Sequence, residues 1–109
     1  MIDKDKILKW SQHIAQAFQP EKIILFGSYA YGKPTDASDV DLLVIMPFEG
    51  QPFRQAIEIL TQTNPDFGVD LLVRTPTQIQ QRLDWNDFFI REILDRGTVL
   101  YAAPHTRVA

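Results

Sequence analysis

Four consecutive apolar residues, Leu42 to Ile45, follow directly on an acidic Asp39-Val40-Asp41 segment near the middle of the chain. An uninterrupted apolar run of this length is typical of a β-strand that is buried on both faces. Such a strand needs covering elements above and below it, and helix-like patterns lie on both sides of it in the sequence. The sequence therefore predicts an α/β (α+β) domain in which helices flank a small mixed β-sheet.

Periodicity and turn residues place the other elements around this strand. Apolar residues recur at helical spacing in three regions, and short β-branched or apolar runs mark the strands. Thr75-Pro76 is a good helix start, and Gly97 is placed to end the last helix. The predicted elements are helices over 3–18, 53–60 and 75–97 (the last as one helix or a pair) and strands over 22–26, 39–46, 68–73 and 99–101.

Size and composition limit the function classes. A chain of 109 residues fits one domain, which we expect over 1–103, with a disordered tail over 104–109. The net charge of −3 and the scattered basic residues argue against direct nucleic-acid binding. There is no cysteine, no run of eighteen apolar residues and no apolar leader, so we expect a cytoplasmic protein without a membrane segment.

The carboxylates Asp39 and Asp41 lie two residues apart, so on a strand they share one face. Two like charges at the mouth of a buried strand repel each other and resist desolvation, and a divalent cation such as Mg²⁺ relieves both problems. Taken alone, however, the motif could be a solvated turn.

Asp70 lies within the apolar run of the third predicted strand, where an unpaired carboxylate is costly. If this strand neighbours the second, Asp70 can face Asp39 and Asp41, and the three could hold one or two Mg²⁺ ions. An ion pair with Arg74 or Arg54 is the alternative.

Gly27-Ser28 follows the first predicted strand and forms a tight turn at its end. Glycine allows close approach of a ligand to the backbone, and free N–H groups at a following helix start favour phosphate oxygens. A plain turn is the alternative. If the first two strands run antiparallel, this turn and Asp41 meet at one edge of the sheet. Ser38 is interpreted as a loop-shaping residue rather than a catalyst.

Together, these segments resemble the signature of the DNA polymerase beta-like nucleotidyltransferase superfamily, and most closely its minimal nucleotidyltransferase branch. The resemblance implies a nucleotidyltransferase fold that binds ATP and Mg²⁺. It assigns the triphosphate to Gly27 and Ser28, the metal to Asp39 and Asp41, and metal binding with acceptor activation to Asp70. Ser38, in the second matching segment, is placed with Gly27 and Ser28 in the nucleotide-binding set. The matching segments are Gly27-Ser28-Tyr29-Ala30-Tyr31-Gly32, Ser38-Asp39-Val40-Asp41-Leu42-Leu43-Val44, the strand around Asp70, and residues 91–101.

The same resemblance implies a partner. Minimal nucleotidyltransferases are often encoded beside a HEPN-domain toxin, and some are antitoxins that move AMP from ATP onto a tyrosine of that ribonuclease. Because the chain is short, we expect the partner to provide the acceptor surface, and we assign its docking to the aromatic segment 85–89. The alternatives are a nucleotide-binding antitoxin that acts by docking alone and a transferase acting on a small molecule such as an antibiotic.

Tyr31 departs from the family pattern, in which arginine usually occupies this position. Loss of that charge removes a possible triphosphate contact, worth about 1.5–3 kcal/mol for a charged hydrogen bond. The neighbouring Lys33 offers a flexible substitute, although an ammonium matches phosphate geometry less well than a guanidinium does.

Overall fold

The computed structural model describes residues 1–104, which form five helices and four strands. Within this part of the chain, no helix combines the length and the apolar character that crossing a lipid bilayer requires. In chain order the elements are α1 (Lys4–Phe18), β1 (Lys22–Phe26), α2 (Ser28–Tyr31), β2 (Val40–Ile45), α3 (Pro52–Thr63), β3 (Val69–Arg74), α4 (Pro76–Asp84), α5 (Phe88–Arg96) and β4 (Thr98–Ala102).

The strands form one mixed sheet in the order β3-β2-β1-β4. Strand β1 runs antiparallel to both β2 and β4, whereas β2 and β3 are parallel. Residues 27–39, which include α2, connect the antiparallel strands β1 and β2, whereas the parallel β2–β3 pair needs a crossover, and α3 provides it. The predicted α/β architecture with a mixed sheet is confirmed.

Both faces of the sheet are covered, which explains why β2 is apolar at every position after Asp41. Its even-numbered residues pack into a core formed with α1 and α3, where Leu42 and Val44 are fully buried. Its odd-numbered residues, Leu43 and Ile45, pack into a second core against α4 and α5. Because successive side chains of β2 point to opposite faces of the sheet, this one strand contributes to two separate cores.

The predicted helix boundaries agree closely with the structure. Thr75 caps α4 through a reciprocal capping box with Gln78, and Gly97 follows the last residue of α5. The region predicted as one helix or a pair is a pair, because Asn86 adopts a left-handed conformation (φ 58°) and Asp87 caps α5. Residues 105–109, most of the predicted tail, lie outside the described residues.

Thr63 at the end of α3 stabilises the core between α1 and α3. The Trp10 indole Nε1 donates to Thr63 Oγ1 (3.0 Å), and both side chains are buried. Thr63→Val should therefore lower the free energy of unfolding by about 1–3 kcal/mol, because a buried N–H loses its acceptor. Urea denaturation followed by circular dichroism measures this change.

Thr61→Val is the matched control, since Thr61 is exposed on the same helix. It should change the free energy of unfolding by less than about 0.5 kcal/mol. Equal losses in the two variants would show that the indole hydrogen bond contributes nothing measurable.

Candidate functional site

The antiparallel pairing of β1 and β2 brings the glycine turn against the first acidic motif. Phe26, the last residue of β1, pairs with Asp41, and Gly27 follows immediately. Gly27 has φ 72°, and a Cβ atom at this position would overlap the Asp41 carboxylate. Glycine is thus required twice here, for its backbone conformation and for the close approach of Asp41.

The parallel pairing of β2 and β3 adds the third acid. Asp41 and Asp70 are direct register partners, so their side chains lie on the same face of the sheet. The Asp39 carboxylate contacts the backbone of Gly68, just before β3, and the Val40 N–H donates to the Gly68 carbonyl oxygen (3.0 Å). The three predicted acidic residues therefore lie at one edge of the sheet.

The ion pair considered for Asp70 is absent within residues 1–104. The Arg74 guanidinium instead donates to the carbonyl oxygen of Val73 (2.8 Å), and Asp70 is exposed at the start of edge strand β3. Asp70 therefore keeps its charge available beside Asp41.

These carboxylates interact electrostatically. Partial burial, followed by the negative charges of Asp70 and Asp39, raises the pKa of Asp41 to about 6. A carboxylate that is difficult to ionise between two others is stabilised by a bound cation, and oxygen ligands suit Mg²⁺.

A divalent cation fits the chemistry of this donor set. Within residues 1–104, no three or more acidic or histidine side chains are grouped closely enough to hold a metal ion by themselves. Mg²⁺ typically binds through one or two carboxylates together with water and substrate phosphates, so such a closed protein cage is not required. Asp39, Asp41 and Asp70 are the candidate ligands, of which one or two would hold the ion together with water and substrate phosphates.

The short helix α2 begins directly after the glycine turn. The N–H groups of Ala30 and Tyr31 both donate to the Gly27 carbonyl oxygen (3.0 Å each). Ser28 is half-buried and lines a cavity of about 650 Å³ beside α1 and β4, which none of the three aspartates lines. This cavity therefore adjoins the glycine turn, while the carboxylates lie outside it.

Ser38 shapes the loop that precedes Asp39. Its hydroxyl accepts a hydrogen bond from the Thr35 N–H (2.9 Å), and its own N–H donates to the Thr35 carbonyl oxygen (3.0 Å). Its predicted contact with the nucleotide stays a prediction.

The sequence interpretation did not anticipate the position of Arg96, which also pairs with Glu92 (3.4 Å). Its guanidinium lies over the Tyr31 ring, 4.5 Å from the centroid, at a distance typical of cation–π contacts. A cation thus stands beside the position where the family pattern has arginine, and it comes from the end of α5. The available signal was a basic residue in the last helical turn, just before Gly97.

Comparison with known proteins identifies the family of this chain. The family model described as "Nucleotidyltransferase domain" matches residues 7–100. A protein of Methanocaldococcus jannaschii named "putative protein adenylyltransferase" is 35% identical over 83 residues, which cover 74% of this chain and 78% of the relative.

Solved structures share the fold. A "putative nucleotidyltransferase" from Sulfolobus solfataricus superposes with a TM-score of 0.62 at 19% identity, covering 90% of this chain and 78% of that one. A toxin–antitoxin structure with AMP-PNP gives a TM-score of 0.55 at 19% identity (96% and 77% coverage). A mutant of the toxin–antitoxin MntA–HpeT gives 0.53 at 17% identity, with the same coverage.

Gly27→Ala tests the close approach between the turn and Asp41. The added methyl group both meets the carboxylate and strains the positive φ, so the variant should lose about 2–4 kcal/mol of folding stability. Gly50→Ala is the matched control, because Gly50 has φ 88° but open space around it, and it should show the smaller backbone cost alone. Thermal or urea unfolding compares the two, and equal losses would contradict the predicted overlap.

Asp41→Asn tests the electrostatic crowding. The folded-state pKa of Asp41 is raised to about 6 from the ordinary 3.8. The contribution of Asp41 to folding stability is therefore complete below pH 3.8 and disappears as the pH rises through 6. Asn cannot ionise, so the variant avoids this loss. Between pH 4 and pH 7 its free energy of unfolding should rise by about 1–2 kcal/mol relative to that of the wild type, after discounting for solvent screening.

The measurement is urea unfolding across this pH range in EDTA. Asp36→Asn is the control, since the N-terminal ammonium lowers the pKa of Asp36. The free energy of unfolding of that variant should not rise relative to that of the wild type between pH 4 and pH 7. If the difference in free energy of unfolding between Asp41→Asn and the wild type does not change with pH, the neighbouring negative charges do not disfavour ionisation of Asp41.

Proposed function

The chain belongs to the nucleotidyltransferase domain family, and from this premise we propose that it is a Mg²⁺-dependent protein adenylyltransferase. Its proposed reaction transfers AMP from ATP to a tyrosine of a HEPN-domain toxin, so that the chain acts as an antitoxin. The observation that carries the proposal is the position of Asp41 between the Gly27 turn and its register partner Asp70.

Each site residue has a role that its position supports. Gly27 and Ser28 bind the triphosphate through the turn and the N-terminal end of α2, and the Ser28 hydroxyl makes no hydrogen bond within residues 1–104 that would occupy it. Asp39 and Asp41 hold the ion at the start of β2. When bound, Mg²⁺ would neutralise charge that develops on the entering and leaving oxygens.

Asp70 differs from Asp41 because it is exposed on an edge strand, where an acceptor can approach. It accepts the proton of the acceptor hydroxyl while a bond forms between that oxygen and the α-phosphorus. The bond from the α-phosphorus to the bridging oxygen breaks, and pyrophosphate leaves. Arg96, beside Tyr31, adds positive charge next to the triphosphate turn.

The comparisons support the protein acceptor. The relative from M. jannaschii carries the name of a protein adenylyltransferase, and two structural neighbours are toxin–antitoxin structures, one of them with AMP-PNP. We propose the same activity and the same kind of partner for this chain.

A second candidate, an antitoxin that acts by docking alone, is favoured by Tyr31 in place of the expected arginine. The guanidinium of Arg96 over the Tyr31 ring offsets this argument, because it places a cation beside Tyr31. The enzymatic proposal therefore remains the better supported one.

The double variant Asp39→Asn/Asp41→Asn should separate the two candidates. Removing both metal-binding carboxylates should slow AMP transfer about 100-fold or more. Intact-mass spectrometry of the HEPN-domain protein, after incubation with ATP, Mg²⁺ and each variant, measures the added AMP.

Asp36→Asn is the matched control, because Asp36 is an exposed acid of the preceding loop that pairs with the N-terminal ammonium (2.7 Å). It should transfer AMP at the wild-type rate. If the wild type adds no mass to the HEPN-domain protein, and the double variant still neutralises its toxicity, docking alone is the function.

A further inference from the structure

Three large aromatic side chains are exposed around the turn between α4 and α5. Trp85, Phe88 and Phe89 are 66%, 83% and 50% exposed, respectively. Together they form what we call the aromatic surface. Exposed aromatic side chains in one short segment are typical of a protein interface, where they bury large areas at a low entropy cost.

A basic pocket adjoins this surface. It has a volume of about 270 Å³, and we call it the arginine pocket; its lining residues are Pro52, Arg74, Gln78, Gln81, Arg82 and Trp85. Trp85 thus belongs both to the pocket and to the aromatic surface. Two arginine residues therefore line one small space beside an exposed indole.

The positive charge in the arginine pocket is only partly compensated. Arg82 pairs with Asp87 (3.1 Å), but within residues 1–104 Arg74 has no carboxylate partner. Burial and, secondarily, the charge of Arg82 lower the pKa of Arg74. Two like charges held together in this way would be stabilised by a bound anion.

The aromatic surface also reaches the candidate active site. The Phe89 ring stacks edge-on against Phe26, with centroids 5.7 Å apart, and Phe26 is the register partner of Asp41. A protein seated on the aromatic surface would therefore lie beside the carboxylates that act on its hydroxyl.

We propose that the aromatic surface and the arginine pocket dock the acceptor protein, with an aspartate or glutamate side chain of that protein bound between Arg74 and Arg82. This inference rests on the proposed function for the identity of the partner. Charge complementarity favours an acidic contact, because the pocket is basic on a chain whose net charge is −3. The combination of Trp and Arg is the one most enriched at the energetic centres of protein interfaces. A nucleic acid would require a broader basic surface than one pocket offers.

The test measures the affinity of the chain for the HEPN-domain protein encoded nearest to it, by isothermal titration calorimetry at two salt concentrations. The double variant Arg74→Gln/Arg82→Gln should weaken binding about 30-fold or more and flatten its salt dependence, and Trp85→Ala should also weaken it. Lys6→Gln/Lys9→Gln removes the same charge at two exposed positions of α1, which packs on the opposite face of the sheet from α4 and α5, and it should bind like the wild type. Thermal unfolding verifies that each variant is folded.

Two further measurements separate this inference from the proposed chemistry. The pocket variants should keep wild-type affinity for Mg²⁺–ATP, and AMP transfer should return toward the wild-type rate when the HEPN-domain protein is raised to saturation. If the partner affinity of the double arginine variant matches that of the lysine control, the docking inference is wrong, even where AMP transfer by the wild type is observed. If affinity falls as expected but the wild type transfers no AMP, docking stands and the adenylyltransferase proposal fails.

Discussion

The contact between Gly27 and the Asp41 carboxylate is the constraint on which the site depends. It places a partly desolvated acid against a backbone turn, beside two further negative charges. Such an arrangement is unfavourable by itself, and it persists because β2 is held on both faces. Burial of Leu42, Leu43 and Val44 fixes the strand, so its first residues cannot move apart to relieve the repulsion.

Much of this arrangement could be predicted from the sequence because it depends on local patterns. The unbroken apolar run of β2 indicated cover on both faces, and Thr75 and Gly97 marked helix boundaries through their capping chemistry. The convergence of the acids was conditional on which strands are neighbours and on their directions, which local patterns left open and the sheet topology answers. The metal, the nucleotide and the role of Ser38 remain predictions.

The interactions that sequence reasoning did not find join residues far apart in the chain. Arg96 reaches Tyr31 only because α5 packs beside β1, and nothing in either local segment encodes that contact. Arg74 and Arg82 share a pocket because α4 turns back at the end of β3. The separation of α4 from α5 depended on the left-handed conformation of Asn86, which asparagine tolerates without requiring.

The mixed direction of the strands has a consequence for how such a site can arise. Asp41 and Asp70 stand where two strands start, whereas Gly27 stands where another strand finishes. In a purely parallel sheet, starts and finishes occupy opposite borders, about one strand length apart, or roughly 17–20 Å. Only the reversal of β1 relative to its neighbour puts the turn proposed to bind phosphate and the acids proposed to bind a cation within reach of the same small molecule.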